Sequence, residues 1–65
     1  MLPKAEPKEF AFSIQDFARR IGLSRSLLYE EIAARRLPSV KIRGRRLILA
    51  EDGAAWLRAH RDVAP

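Results

Sequence analysis

Two short helical segments separated by a tight, glycine-containing junction constrain this chain more than any other feature. Ser13 is a residue type that caps helix N-termini, and Asp16 stands where the acid of a capping box is found. Gly22 suits the left-handed position that follows a helix, and Ser24 at once offers the next N-cap. The sequence therefore predicts two helices joined by a Gly-Leu-Ser turn, which is the pattern of a helix-turn-helix or of an ordinary helical hairpin.

The second helix has one apolar and one polar face. Leu28 and Ile32 are four residues apart and share the face that we expect to meet the core. Pro38 disfavours helical backbone at the residue before it, so the helix is predicted to run to about residue 35 or 36.

A strand-like stretch follows the second helix and contains one glycine. A two-residue type II′ turn at Gly44-Arg45 would pair Ile42 with Leu47 and Val40 with Leu49. All four apolar side chains would then lie on one face, which favours this register. The sequence thus predicts a β-hairpin.

The predicted hairpin is strongly basic. Its register sets Arg43 opposite Arg46, and because facing like charges destabilise a strand pair, an anion at the hairpin tip would offset that cost. The chain has 13 Lys and Arg residues against 8 acidic ones, for a net charge of +5. The acid-free segment 35–46 holds six of these cations: Arg35, Arg36, Lys41, Arg43, Arg45 and Arg46. Arginine suits phosphate, guanine and narrow minor grooves, whereas the alternative is a charged edge that only blocks pairing between chains.

Helical patterning returns near the C-terminus. A last helix is predicted from about Glu51 to His60, with acidic residues at its start and basic ones at its end. Trp56 and Leu57 are its large apolar residues and are expected to close the core.

Composition divides the chain into one small domain with two flanking segments. We expect a disordered arm over residues 1–11, a domain over 12–61 and a frayed end over 62–65.

With no cysteine and only His60 as a histidine, we expect no disulfide, no metal site and no cofactor. No apolar run is long enough to span a bilayer or form a signal-peptide core, so we expect a cytoplasmic, nucleoid-associated protein.

Several segments together carry a family resemblance. They are Ser13–Ala18 (SIQDFA), Ile21–Ser24 (IGLS), Leu28–Tyr29, Ile32, Leu37–Pro38, Lys41–Arg46 (KIRGRR), Leu47–Ile48 and Asp52–Leu57 (DGAAWL). In this order and spacing the stretch resembles the excisionase and AlpA-like branch of MerR-type winged helix-turn-helix domains. The resemblance implies a mainly α fold with a small β-hairpin: a helix-turn-helix, a wing hairpin and a closing helix. The chain departs from the family pattern at Asp16, Arg36 and Gly53.

Patterning and resemblance together predict a surface that binds double-stranded DNA. The recognition helix would lie in the major groove and the arginine-rich wing in the adjacent minor groove. The helix residues of the predicted site are Ser24, Arg25, Ser26, Tyr29 and Glu30. The residues of the wing and its flank are Arg36, Lys41, Arg43, Gly44, Arg45 and Arg46.

The expected role is that of a small transcription regulator or an excisionase-type recombination directionality factor. Expected partners are DNA, further copies of the chain bound to repeated sites, and either an integrase or the transcription machinery. We expect no small-molecule ligand and no catalysis, because no nucleophile, phosphate loop or convergent acid and base are apparent. The alternative is a protein-interaction module, an adaptor or antirepressor, on the same scaffold. RNA binding is disfavoured because the five aromatic residues mostly fit core positions.

Overall fold

The computed structural model describes residues 10–62, which form three helices and one three-stranded antiparallel sheet. Residues 1–9 of the predicted arm and residues 63–65 of the predicted tail lie outside this range. The elements in chain order are β1 (Ala11–Ser13), α1 (Ile14–Ile21), α2 (Arg25–Ala33), β2 (Val40–Ile42), β3 (Arg45–Leu49) and α3 (Ala50–Ala59). The sheet order is β1-β3-β2, and no helix of the described range is long and apolar enough to cross a membrane.

The two serine caps and the glycine that ends α1 are confirmed, whereas the Asp16 carboxylate binds Arg19 and Arg20 and does not complete a capping box. The Ser13 hydroxyl accepts a hydrogen bond from the Asp16 backbone N–H at 3.0 Å, and the Ser24 hydroxyl accepts one from the Leu27 N–H at 3.1 Å. Gly22 follows α1 with a φ of 74°. Because these bonds close within a few residues, local sequence is enough to set the start of both helices and the end of α1.

The C-terminus of α2 comes two to three residues earlier than the sequence predicts. The helix ends at Ala33, and Arg35 adopts a left-handed φ of 64°. The Arg36 N–H donates to the Glu31 carbonyl at 2.9 Å, and the Arg35 N–H donates to the Ile32 carbonyl at 3.0 Å. This is a Schellman arrangement with an arginine at the position that glycine normally occupies.

Strand β1 was missed by the sequence analysis. Ala11 pairs with Leu49 of β3, and the Ala50 N–H donates to the Phe10 carbonyl at 2.8 Å. The prediction that the disordered arm extends to residue 11 is therefore wrong for Phe10 and Ala11. The predicted small hairpin is also only part of the sheet. A three-residue strand is too short for a period-two pattern to show, and its partner is remote in sequence.

The hairpin turn lies one residue earlier than predicted. Arg43 has a φ of 52° and Gly44 a φ of 80°, so the two turn residues are both left-handed, as in a type I′ turn. The predicted type II′ turn at Gly44-Arg45 is wrong. Arg43 therefore belongs to the turn and does not face Arg46.

The observed register pairs Val40 with Leu47 and Lys41 with Arg46, so the predicted pairs are also wrong. Both registers place the same residues on the same face, because they differ by two positions and side chains alternate with a period of two. Hydrophobic patterning could not distinguish them. Ile48 is the strand residue buried in the core, whereas Ile42, on the opposite face, is 56% exposed.

The core lies between the helices and the Ile48 face of the sheet. Its buried apolar residues are Ile14, Phe17, Ala18, Leu28, Leu37, Ile48 and Trp56. The Phe17 ring meets the Trp56 ring edge-on, with centroids 6.4 Å apart. Helix α3 matches its predicted bounds within one residue, but Leu57, expected in the core, is 41% exposed.

Candidate nucleic-acid interface

One face of α2 and its N-cap carries all of the helix residues predicted to bind DNA. Leu28 and Glu31 turn inward and are buried. The predicted residues are all exposed: Ser24, Arg25, Ser26, Tyr29 and Glu30. Tyr29 is 50% exposed, which leaves its hydroxyl available to a ligand. The helical period alone separates these two faces.

A cleft between this face of α2 and the hairpin brings together predicted residues that are distant in sequence. We call it the front cleft. It is lined by Ser13, Ile14, Gln15, Arg25, Tyr29, Gly44, Arg45 and Arg46. Three arginines and a tyrosine line this cleft and no acidic residue does, so their donors are available to an anion.

A second cleft lies at the other end of α2, and we call it the rear cleft. It is lined by Ile32, Ala33, Arg35, Leu37, Pro38, Ser39 and Arg46. Arg46 is common to both clefts, and its Nη1 donates a hydrogen bond to the Ser39 hydroxyl at 2.8 Å. Arg35 was not among the predicted site residues.

The hairpin tip completes the basic surface. Lys41 and Arg43 are exposed and lie at or beside the turn, outside both clefts. Lys41 faces Arg46 across the strands, so the observed register still juxtaposes like charges. The positive charge of the hairpin is therefore not dispersed by the change in register.

Ion pairs occupy other arginines but not those of the clefts. Arg19 and Arg20 both bind the Asp16 carboxylate, and these hydrogen bonds hold the pKa of Asp16 below its usual value. Within residues 10–62, no carboxylate forms an ion pair with Arg25, Arg35, Arg45 or Arg46. The charge available to an external anion is thus concentrated around α2 and the hairpin.

Arg36, predicted to flank the interface, is engaged by Glu31. Its Nε lies 3.1 Å from Glu31 Oε1, and its Nη2 lies 2.8 Å from Oε2. The Trp56 indole N–H also donates to Oε1, at 3.1 Å. These bonds lower the pKa of Glu31 to about 2 and raise that of Arg36. We therefore assign Arg36 to this network, which links α2 to α3, and not to the candidate interface.

This network was not predicted, although the sequence contains one signal for it. Glu31 lies three residues after Leu28, which places a carboxylate on the apolar face of α2, where it needs a partner when buried. Trp56, buried at 7% exposure, serves as a core residue and a hydrogen-bond donor. The His60 Nδ1 donates to the Trp56 carbonyl at 2.9 Å, and no metal-ligand cluster occurs among the described residues.

Comparison of the chain with protein-family models, with curated proteins and with solved structures gives no match. The functional interpretation therefore rests on the geometry and charge of the two clefts and the hairpin.

Proposed function

We propose that this protein binds double-stranded DNA as a winged helix-turn-helix module. Helix α2 serves as the recognition helix and the β2–β3 hairpin as the wing. The observation that carries the proposal is the front cleft, where Arg25 and Tyr29 of α2 meet Arg45 and Arg46 of the hairpin without a carboxylate among them. A surface of this kind gains free energy by releasing counterions from the phosphate backbone.

The shape of α2 suits insertion into the major groove, which is about 12 Å wide and admits one helix. Its N-terminus is capped by Ser24 and exposes Arg25 and Ser26 at the leading end. The partial positive charge of a helix N-terminus adds to the attraction for phosphate. Arg25 then forks onto a guanine edge or a phosphate, and Tyr29 donates its hydroxyl to the backbone.

The hairpin supplies the second contact. Its tip, Arg43-Gly44, projects beyond the sheet, and the neighbouring Arg45 turns into the front cleft. A narrow minor groove attracts arginine through its enhanced negative potential, so the wing favours such sequences. Glu30 accepts a hydrogen bond from a cytosine amino group or repels a misplaced phosphate, and either effect adds selectivity.

A single module of this kind covers only about 600–1,000 Å² on DNA. Useful specificity therefore needs several copies on repeated sites, or a protein partner such as an integrase or the transcription machinery. Both roles expected from the sequence, transcription regulator and recombination directionality factor, use the same DNA-binding geometry.

The test is equilibrium binding of a labelled mixed-sequence duplex across a salt series. If about five phosphates are contacted, log K falls with log salt at a slope of roughly −4 to −5. An Arg25→Ala, Arg45→Ala double variant is expected to flatten that slope by up to about two. The matched control is an Arg58→Ala, Arg61→Ala double variant, which also removes two charges; both residues are exposed and neither lines a cleft. No binding by the wild type at low salt, or an equal effect of the control, would refute the proposal.

One observation favours the protein-interaction alternative. Ile42 is 56% exposed on the sheet face opposite the core, where an apolar side chain gains from a covering partner. If the protein is an interaction module, Ile42→Ser abolishes its activity in the cell, whereas the Arg25→Ala, Arg45→Ala variant retains that activity. The DNA-binding proposal expects the reverse.

A further inference from the structure

Arg35 lines the rear cleft and has a left-handed backbone conformation that is costly for a residue with a side chain. In residues 10–62 only Arg35 and Arg43 combine a side chain with a positive φ. At the end of α2 glycine is the residue that relaxes this conformation, whereas this chain has an arginine there. Backbone outliers of this kind concentrate at binding sites, so Arg35 calls for a functional explanation.

The surroundings of Arg35 suit an anion. Arg46 lines the same cleft and is oriented by its 2.8 Å hydrogen bond to the Ser39 hydroxyl. Leu37, 1% exposed, contributes an apolar wall, and no acidic side chain lines the cleft. Two arginines with no competing carboxylate suit a phosphate diester.

Arg46 connects the two clefts, because it lines both. The result is a cationic track alongside α2, from Arg25 near its N-terminus to Arg35 beyond its C-terminus. A helix of nine residues is about 13 Å long. One strand of B-DNA carries a phosphate about every 3.4 Å along the helix axis, so such a track passes several phosphates.

We propose that the rear cleft binds a backbone phosphate of the same duplex that occupies the front cleft, with Arg35 and Arg46 as its ligands and Ser39 as the residue that orients Arg46. This inference rests on the proposed DNA binding. It adds Arg35 to the interface and explains why an arginine stands where glycine would relieve the backbone.

Two substitutions separate a binding role of Arg35 from a structural one. Arg35→Gly removes the guanidinium and relaxes the left-handed backbone, so the domain is expected to become more stable while DNA binding weakens. Arg35→Asn also removes the charge, and asparagine tolerates left-handed backbone. Both variants are expected to flatten the salt slope by about one, whereas Arg35→Lys keeps the slope.

The experiment uses the full chain, a labelled mixed-sequence duplex, the same salt series and Arg58→Ala as the charge-matched control. A parallel urea titration reports the stability of each variant. If the wild type binds and Arg45→Ala flattens the slope while Arg35→Gly and Arg35→Asn do not, the rear cleft is not a phosphate site and the proposed function stands. If the wild type does not bind at low salt, the proposed function fails, and this inference fails with it.

Discussion

Gly53 offers a direct test of how α3 packs on the core. Glycine in a helix interior costs about 1 kcal/mol relative to alanine, so Gly53→Ala would stabilise an isolated α3 by that amount. In the folded protein an added Cβ would lie 2.8 Å from Phe17 Cε1 and 3.0 Å from Cζ. The first distance is shorter than carbon atoms in proteins adopt and the second is tighter than most such contacts, so the Phe17 ring would have to shift.

The Phe17 ring has little room to move away from this added carbon. It is only 4% exposed, and it lies against the Phe12 ring at 6.0 Å and the Trp56 ring at 6.4 Å between centroids. Inserting a methyl group into such a core typically costs about 1–3 kcal/mol. After the gain in helix propensity, Gly53→Ala is expected to lower the free energy of unfolding by up to about 2 kcal/mol.

Urea unfolding followed by circular dichroism and by Trp56 fluorescence measures this change. Ala55→Gly, at an exposed position of the same helix, calibrates the propensity effect and is expected to cost about 1 kcal/mol. In a Phe17→Leu background the crowding is relieved, so Gly53→Ala is expected to become stabilising there. A stabilisation of about 1 kcal/mol by Gly53→Ala in the wild-type background would refute the inferred close packing of α3 against Phe17.

Three further perturbations probe the rest of the fold. The pKa of Glu31 is held at about 2 in the folded state against 4.5 for an unperturbed carboxyl, so its stabilising contribution is complete above about pH 4.5 and is lost as the pH falls toward 2. Urea titrations over that range are expected to show a shallower pH dependence in Glu31→Gln than in the wild type; equal slopes would contradict this. Ser24→Ala removes the cap of α2 and is expected to cost about 1 kcal/mol in thermal unfolding, whereas Ser26→Ala, exposed within the first turn, is expected to cost little. Leu28→Ala empties a fully buried position and is expected to cost about 2–5 kcal/mol in urea unfolding, well above the cost of Leu57→Ala at a 41% exposed position; similar losses would contradict the core assignment.

The network around Glu31 also bears on how the proposed recognition helix is held. The carboxylate contacts Arg36 beyond the end of α2 and Trp56 on α3, so it joins two helices through side chains alone. A buried carboxylate is costly to leave unpaired, so the side-chain link between α2 and α3 depends on all three groups.

Sequence alone determined the features whose hydrogen bonds close within a few residues. Ser13, Ser24 and Gly22 fixed the ends of α1 and the start of α2, because each cap satisfies its own neighbouring backbone groups. The helical period likewise separated the buried Leu28 from the exposed Arg25. The solvent-exposed helix side of the candidate interface was predictable for this reason.

Tertiary structure decided what depends on partners remote in the chain. Strand β1 forms because Ala11 to Ser13 pair with β3, and a three-residue pattern cannot predict such a pairing. The hairpin register was undetermined because a shift by two positions leaves every side chain on its original face. Arg36 looked like Arg35 in the sequence, but the left-handed turn at Arg35 brings Arg36 back to the Glu31 carboxylate and leaves Arg35 in an open cleft. The other partner of that carboxylate, Trp56, is 25 residues away in the chain, and only the fold brings it there. Neighbouring residues are enough to predict hydrogen bonds that close locally. Where the charged side chains lie depends on which helices and strands come into contact.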